Sequence, residues 1–559
     1  MSLPLLALLF VVLLAAGYRF WGNRVARQFA LDGLRPTPAH VHADGADFVP
    51  TPPFYLFAQH FSAIAAAGPI AGPILACQSY GWMPCLLWIS FGVVFIGAVH
   101  DFASLASSVR HGGRSIAEIA REQLGPRAGL AMLAFIWIAL IYVIVAFADI
   151  TAGTFVTGPE ELAGQSLGFH PGGAVAAAST MYLGLALLMG LAQRLLRPPL
   201  WLLTLVFVPA TFGVAWLGTH VSAAFVLDRH AWGLIILAYC AVASVTPVWA
   251  LLQPRGYLGG FVLYSALAIG IIGMFFGGYE IRQPAFATAD TTSSAPLFPF
   301  LFVTIACGAC SGFHGLVCSG TTSKQVDNER HIQPVGYGAM LAEGFVALIA
   351  LVTIMILAPG EMAGLPPGTI YGQGIGRFLC LLLGQDRLGF AVTFGAMAFS
   401  TFVFDTLDVT TRLGRYIIQE LFGWKGAASA VLATVLTLAL PACLLTFAQA
   451  GMWSRFWLLF GASNQLLAAL TLLVITVWLA RTGRSIAYTL PPMIFVLVIT
   501  LWALLRIVVS SVDVANGFDI AAVNALAGIG LIALALYLAV TSLSRLAALR
   551  RAPRASSTG

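Results

Sequence analysis

The chain has 559 residues, of which 59% are hydrophobic and only 9% charged. Soluble domains carry about 25% charged residues, so this composition excludes a water-soluble enzyme or a nucleic-acid binder, and the formal charge of +6 names no partner by itself. The eight cysteines lie mostly in apolar segments and read as small packing residues rather than a disulfide framework.

Apolar runs of about 20 residues, the length that crosses a bilayer, fall at 3–21, 54–77, 84–109, 128–151, 174–194, 199–218, 232–252, 257–277, 296–318, 336–358, 388–411, 427–447, 454–480, 486–510 and 521–545. They predict an all-α polytopic membrane protein with about fifteen spans. The shorter, glycine-rich 369–384 reads as a re-entrant or surface piece. The first run has no basic region before it, and Arg19, Arg24 and Arg27 follow it. That polarity predicts a retained helix with its N-terminus outside, not a cleaved signal. Taking alternate gaps as cytoplasmic, starting with 22–53, places most of the 28 Lys and Arg residues there, Arg255 among them. Only Arg229, Arg282, Arg377, Arg387 and Arg455 fall opposite, and Arg506 alone stays within a span. This asymmetry predicts an N-out, C-in topology.

The run 54–77, FYLFAQHFSAIAAAGPIAGPILAC, carries Gly68-Pro69 and Gly72-Pro73 at its centre. Each proline removes a backbone donor and each glycine weakens the turn. A helix broken in mid-membrane is expected here, with His60 two turns ahead of the break. Irregular backbone at that depth survives only in protein or beside a wet cavity. Five spans later, 232–252 carries ASVTPVW across its middle and is expected to break near Ser244 and Pro247. An odd offset reverses orientation, so 54–218 and 232–411 read as two inverted five-helix repeats. Residues 1–53 would add a helix and a cytoplasmic linker, and 412–559 four helices and a basic tail.

Ionisable groups within spans are costly and face the bundle interior. They are Asp101, Asp149, Glu343, Asp405, Asp408, Arg506, His60, His100 and His314. Asp149, near an outer end, reads as solvated. Asp405 and Asp408 share a helical face, with Arg412 four residues after Asp408. They read either as a structural ion-pair ladder or as proton carriers. Asp101 and Glu343 are similar candidates for taking up a proton. The stretch 307–324, CGACSGFHGLVCSGTTSK, is rich in small and hydroxyl residues. Ser319, Thr321 and Thr322 are candidates for lining an ion path. Cys307, Cys310, His314 and Cys318 would lie along one face of one helix, about 16 Å from first to last, so one metal ion could not collect them. No metal and no cofactor is expected. Neither a zinc-protease, a phosphate-loop nor a nucleophile-elbow pattern occurs in suitable context, so no enzymatic activity is expected.

The stretches AQHFSAIAAAGPIAGPILACQSYG (58–81), FIGAVHDF (95–102), GRSIAEIA (113–120), SVTPVWALLQPR (244–255), CGACSGFHGLVCSGTTSKQ (307–325), GYGAMLAEGFVAL (336–348), DTLDVTTRLGRYIIQEL (405–421) and FGASNQLLAALTL (460–472) resemble the carbon starvation protein family, CstA. The chain departs from the family's usual pattern at Gln59 and His100. The resemblance implies a multi-pass transporter of the bacterial inner membrane. It also implies a LeuT-like core of the amino acid–polyamine–organocation superfamily. The implied activity is uptake of a small carboxylate such as pyruvate with protons, or uptake of peptides during starvation. On this reading a substrate carboxylate sits on free N–H groups around Gly68, Pro69, Gly72 and Pro73. His60, Ser244, Pro247, Ser311 and His314 complete its cavity. Asp101, Glu343, Asp405 and Asp408 couple protons, or Ser319, Thr321 and Thr322 hold sodium. A channel or a nutrient-sensor subunit is the reading from another class.

Overall fold

The computed structural model describes residues 2–45, 47–158, 168–287, 296–447, 453–514 and 520–551. Among these, twelve helices are long and apolar enough to cross a bilayer, from Leu3–Phe29 to Ile520–Leu549. The three other expected spans are also helical but differ in form. One is the bent pair Pro53–Ile64 and Gly68–Tyr80, one is the short helix Arg229–Val245, and one is the pair Leu297–Thr304 and Gly312–Gly320. Apolar side chains such as Leu200, Trp201, Leu205, Val206 and Leu543 stay exposed on the outer surface, as lipid-facing positions do. Arg506 is exposed on the helix Leu490–Val514.

The first broken helix does break, but not at its prolines. Residues 65–67 are non-helical, and the second half starts at Gly68 with Pro69 in its first turn, bent by 43°. Proline is tolerated there because the first-turn N–H has no intrahelical partner. Pro73 lies inside the same half-helix. Gly68-Pro69 therefore restarts the helix rather than ending it.

The second break is elsewhere than expected. Arg229–Val245 runs unbroken and ends before Pro247, and the chain resumes at Leu252 as a full span, Leu252–Phe276. Pro247 is exposed in the intervening turn. A proline after a helix end is an ordinary stop. The mid-span break falls at 305–311, IACGACS. The boundary 232–411 thus does not open on a broken helix. Cys307 and Cys310 lie in the break itself, so they do not share a helix face with His314 and Cys318.

Two long helices, Pro126–Val156 and Leu388–Phe422, pack against each other beside this core. The piece 369–384, expected to be re-entrant or at the surface, is mostly buried up to Cys380 and exposed from Leu381 on. It forms the helix Pro367–Leu383, whose Gly372 and Gly376 press on Ala396 and Val392 of Leu388–Phe422. Small residues let the two backbones approach closely. On the linker side, Ser115 starts the helix Ile116–Leu124 with a capping box. Its hydroxyl accepts from Glu118 N at 3.3 Å, and its own N–H donates to Glu118 at 2.9 Å.

Candidate functional site

The two broken helices cross with opposite polarity. His60 faces Thr322, Gly68 faces Cys307, and Gly72 faces Thr304 and Ile305. A Cβ at Gly68 would lie 2.5 Å from Cys307 Sγ, and one at Gly72 only 2.8 Å from Thr304 O. Both second halves begin near the crossing, at Gly68 and Gly312, and a helix N-terminus favours anions; the one at Gly312 packs on Asn464, Leu467 and Ala468. Gly72→Ala is expected to lower stability by about 1–3 kcal/mol through overpacking. Gly213→Ala, in open space, should be near neutral. Thermal unfolding of the two variants in detergent checks the contrast.

Side chains from neighbouring helices satisfy the backbone freed by the second break. Gln465 donates to Phe302 O at 2.9 Å, Trp457 to Thr304 O at 3.0 Å, and Trp88 to Ile305 O at 3.2 Å. Asn464 accepts from Phe313 N at 2.9 Å and donates to Ser311 Oγ at 3.0 Å. In hydrocarbon each unpaired backbone group costs several kcal/mol, so these partners make the break tolerable. The adjacent amides Asn464 and Gln465 were the sequence signal for this role, in the middle of an apolar helix.

Beside the crossing lies a buried ionisable array. Asp101 accepts from His100 Nδ1 at 2.7 Å and, through its other oxygen, from His314 Nδ1 at 2.9 Å. The far nitrogen of His314 is 3.3 Å from Glu343 Oε2. None of these four side chains is more than 1% exposed. His60 is also buried; its Nδ1 is 2.9 Å from Thr322 Oγ1. Cys318 donates to Asp101 O at 3.5 Å and lies 3.9 Å from His60 Nε2. A file of polar groups thus runs Thr322, His60, Cys318, Asp101, His314, Glu343. Neither Glu343 oxygen has a hydrogen-bond partner among the described residues, so His314 stands between a bonded carboxylate and an unbonded one. Two buried carboxylates and an imidazole within reach of one another can take up and pass on a proton.

The three hydroxyl candidates do not converge. Ser319 donates to Gly315 O and accepts from Ile116 N, Thr321 bonds Val317 O of its own helix, and Thr322 faces His60. Ser244 pairs with Thr434 at 3.1 Å on the helix Ala427–Phe447, so it joins neither break.

Asp405 and Asp408 belong to a second buried cluster. Their partner is Arg255, at 2.6 Å and 3.2 Å, with Tyr239 OH donating to Asp408 at 2.7 Å. Arg255 is not a solvated loop residue, being 1% exposed. It lies in the first turn of its helix, where a segment boundary in sequence imitates a loop. Arg412 does not pair with Asp408. It caps the end of Arg229–Val245, donating to Ala243 O and Thr246 O at 2.7 and 2.8 Å. Asp149 is not solvated either; it is buried and bonded to Arg229 at 2.9 Å.

A many-span helical protein with two discontinuous helices meeting at a buried ionisable array has the design of a secondary transporter. The comparisons with known proteins agree. The family model described as Carbon starvation protein CstA matches residues 2–373 and 363–503. The chain belongs to this family. It is 34% identical over 560 residues to a "Peptide transporter CstA" of Campylobacter jejuni, covering 87% of this chain and 77% of that one. It is 31% identical over 580 residues to the "Pyruvate/proton symporter BtsT" of Escherichia coli, covering 87% and 79%. Among solved structures, the Eremococcus coleocola manganese transporter has 12% identity and a TM-score of 0.46, covering 91% of this chain and 99% of that one. The protein is a carbon-starvation-type transporter and a multi-pass protein of the bacterial inner membrane.

Proposed function

We propose that the chain is a proton-coupled symporter that takes up a small organic acid such as pyruvate. The observation that carries this reading is the Asp101–His314–Glu343 array beside two half-helix N-termini. The N-termini would hold the substrate carboxylate near Gly68 and Gly312, and the array would take and release one proton per cycle. The N-terminus would lie outside and the C-terminus inside. The core would be LeuT-like, with inverted repeats opening on the broken helices at 54 and 297 rather than at 54 and 232. Alternating access would rock one group of helices against the other. Protons are favoured over sodium because Ser319, Thr321 and Thr322 turn to different partners. Asp405 and Asp408, held by Arg255, would serve structure more than coupling. Substrate would pass through chemically unchanged.

Peptide uptake is the second reading, favoured by relatives that bear the name peptide transporter. Purified protein in proteoliposomes distinguishes them. Labelled pyruvate should accumulate uphill under an imposed pH gradient, inside alkaline, and not under a sodium gradient. Dipeptide flux without pyruvate flux would put the peptide reading first. Pyruvate that only equilibrates would indicate a channel, and no flux of either a sensor.

A further inference from the structure

We propose that the linker-side face carries a binding site for a phosphate-class anion, between the linker 30–42 and the ends of the helices Ala98–Arg110 and Trp453–Arg481. A cavity of about 500 Å³ opens there, with Arg35, His42, Arg110, Trp478 and Arg484 in its wall. Three guanidinium groups thus meet in one depression. Glu329, fully buried, is bonded to two of them, Arg35 and Arg110. Its Oε1 accepts from Arg35 and Arg110, each at 3.2 Å, and its Oε2 from Arg110 at 3.1 Å and Asp32 N at 2.9 Å. That carboxylate is therefore saturated, and it balances one of three positive charges. Asp32 is exposed and spends an oxygen on Leu34 N. Arg484 satisfies one nitrogen on a neutral acceptor, Phe29 O.

The arrangement leaves an excess of about two positive charges and an unpartnered donor. Arg110 is 6% exposed, and its Nη1 is buried without a hydrogen-bond partner among the described residues. An orphaned guanidinium nitrogen costs free energy that a ligand oxygen would recover. The pKa of Arg484 is lowered, first by burial and then by repulsion from Arg110 and Arg35, with Glu329 offsetting part of it. A carboxylate would neutralise one of the two excess charges. A phosphate group, with about −1.5 to −2 charges at pH 7, matches both and fits the planar forks of arginine. The phosphate could come from a soluble ester or from an anionic lipid headgroup, since the cavity lies at the ends of spans.

Inorganic phosphate is the first probe. Titrated into the purified full-length protein at constant ionic strength against chloride, it should raise the unfolding midpoint and saturate. Tryptophan fluorescence should change in parallel and lose that change in Trp478→Phe. Arg35→Gln, at a half-exposed side chain, and Arg484→Gln should each weaken binding roughly tenfold or more. The second arm uses nanodiscs of zwitterionic lipid with and without phosphatidylglycerol. Phosphate binding that persists in zwitterionic discs supports a soluble ligand. Stabilisation by phosphatidylglycerol that phosphate competes away, and that Arg35→Gln diminishes, supports a headgroup. No shift beyond chloride with either probe overturns the site, as does a shift unchanged in both Arg variants.

Discussion

Asp101→Asn is expected to abolish pH-gradient-driven accumulation while the protein stays folded. Asp101 alone accepts from both His100 and His314, so its two oxygens tie the array together. An amide of the same shape can accept with one atom only. It also removes one of the two carboxylates that face His314 and leaves Glu343 alone beside the imidazole. Accumulation should fall by roughly two orders of magnitude, the size of losing a positioned proton-transfer group. Counterflow exchange, which needs no net proton movement, should survive and report that the substrate site is intact. Accumulation at the wild-type level would remove the array from the coupling mechanism. The groups that face Asp101 are His100, His314, Cys318 and, one step away, His60 and Glu343, so the pH profile belongs to the array and not to one residue.

Arg255→Leu should be among the most destabilising single substitutions in the chain. It strands Asp405 and Asp408, the latter wholly buried beside Tyr239. Breaking a buried pair from one side costs about 3–5 kcal/mol. Removing both sides is far less damaging, so Arg255→Leu combined with Asp405→Asn and Asp408→Asn should recover most of the loss. Midpoints of thermal unfolding in detergent for the single, double and triple variants test this. If the triple variant is no better than Arg255→Leu, the damage comes from lost packing of the arginine stem rather than from unpaired charge. If the triple variant also transports, Asp405 and Asp408 are not coupling residues.

The ionisable residues of the core were legible because charge inside an apolar run has few explanations. What joined them was not. Asp101 and His314 are 213 positions apart in sequence, and no spacing rule connects them. The prolines misled in a consistent way. Pro69 marks a helix start and Pro247 follows a helix end, whereas both true breaks, 65–67 and 305–311, contain no proline. The second break was visible only as a run of small residues, which close packing explains equally well from sequence. Arg255 looked like a loop residue because a residue in the first turn of a span borders a gap. Asp149 looked solvated for the same reason, until Arg229 from another helix covered it.

The capping of the second break has a mechanical consequence. Phe302, Thr304 and Ile305 present carbonyls that depend on Gln465, Trp457 and Trp88, and Phe313 depends on Asn464. If the helix Trp453–Arg481 slid away, three of these groups would be bare in hydrocarbon at once. That helix and the second broken helix must therefore travel as one solid body. A movement that opened the protein would then have to part it at other contacts than those between these two helices.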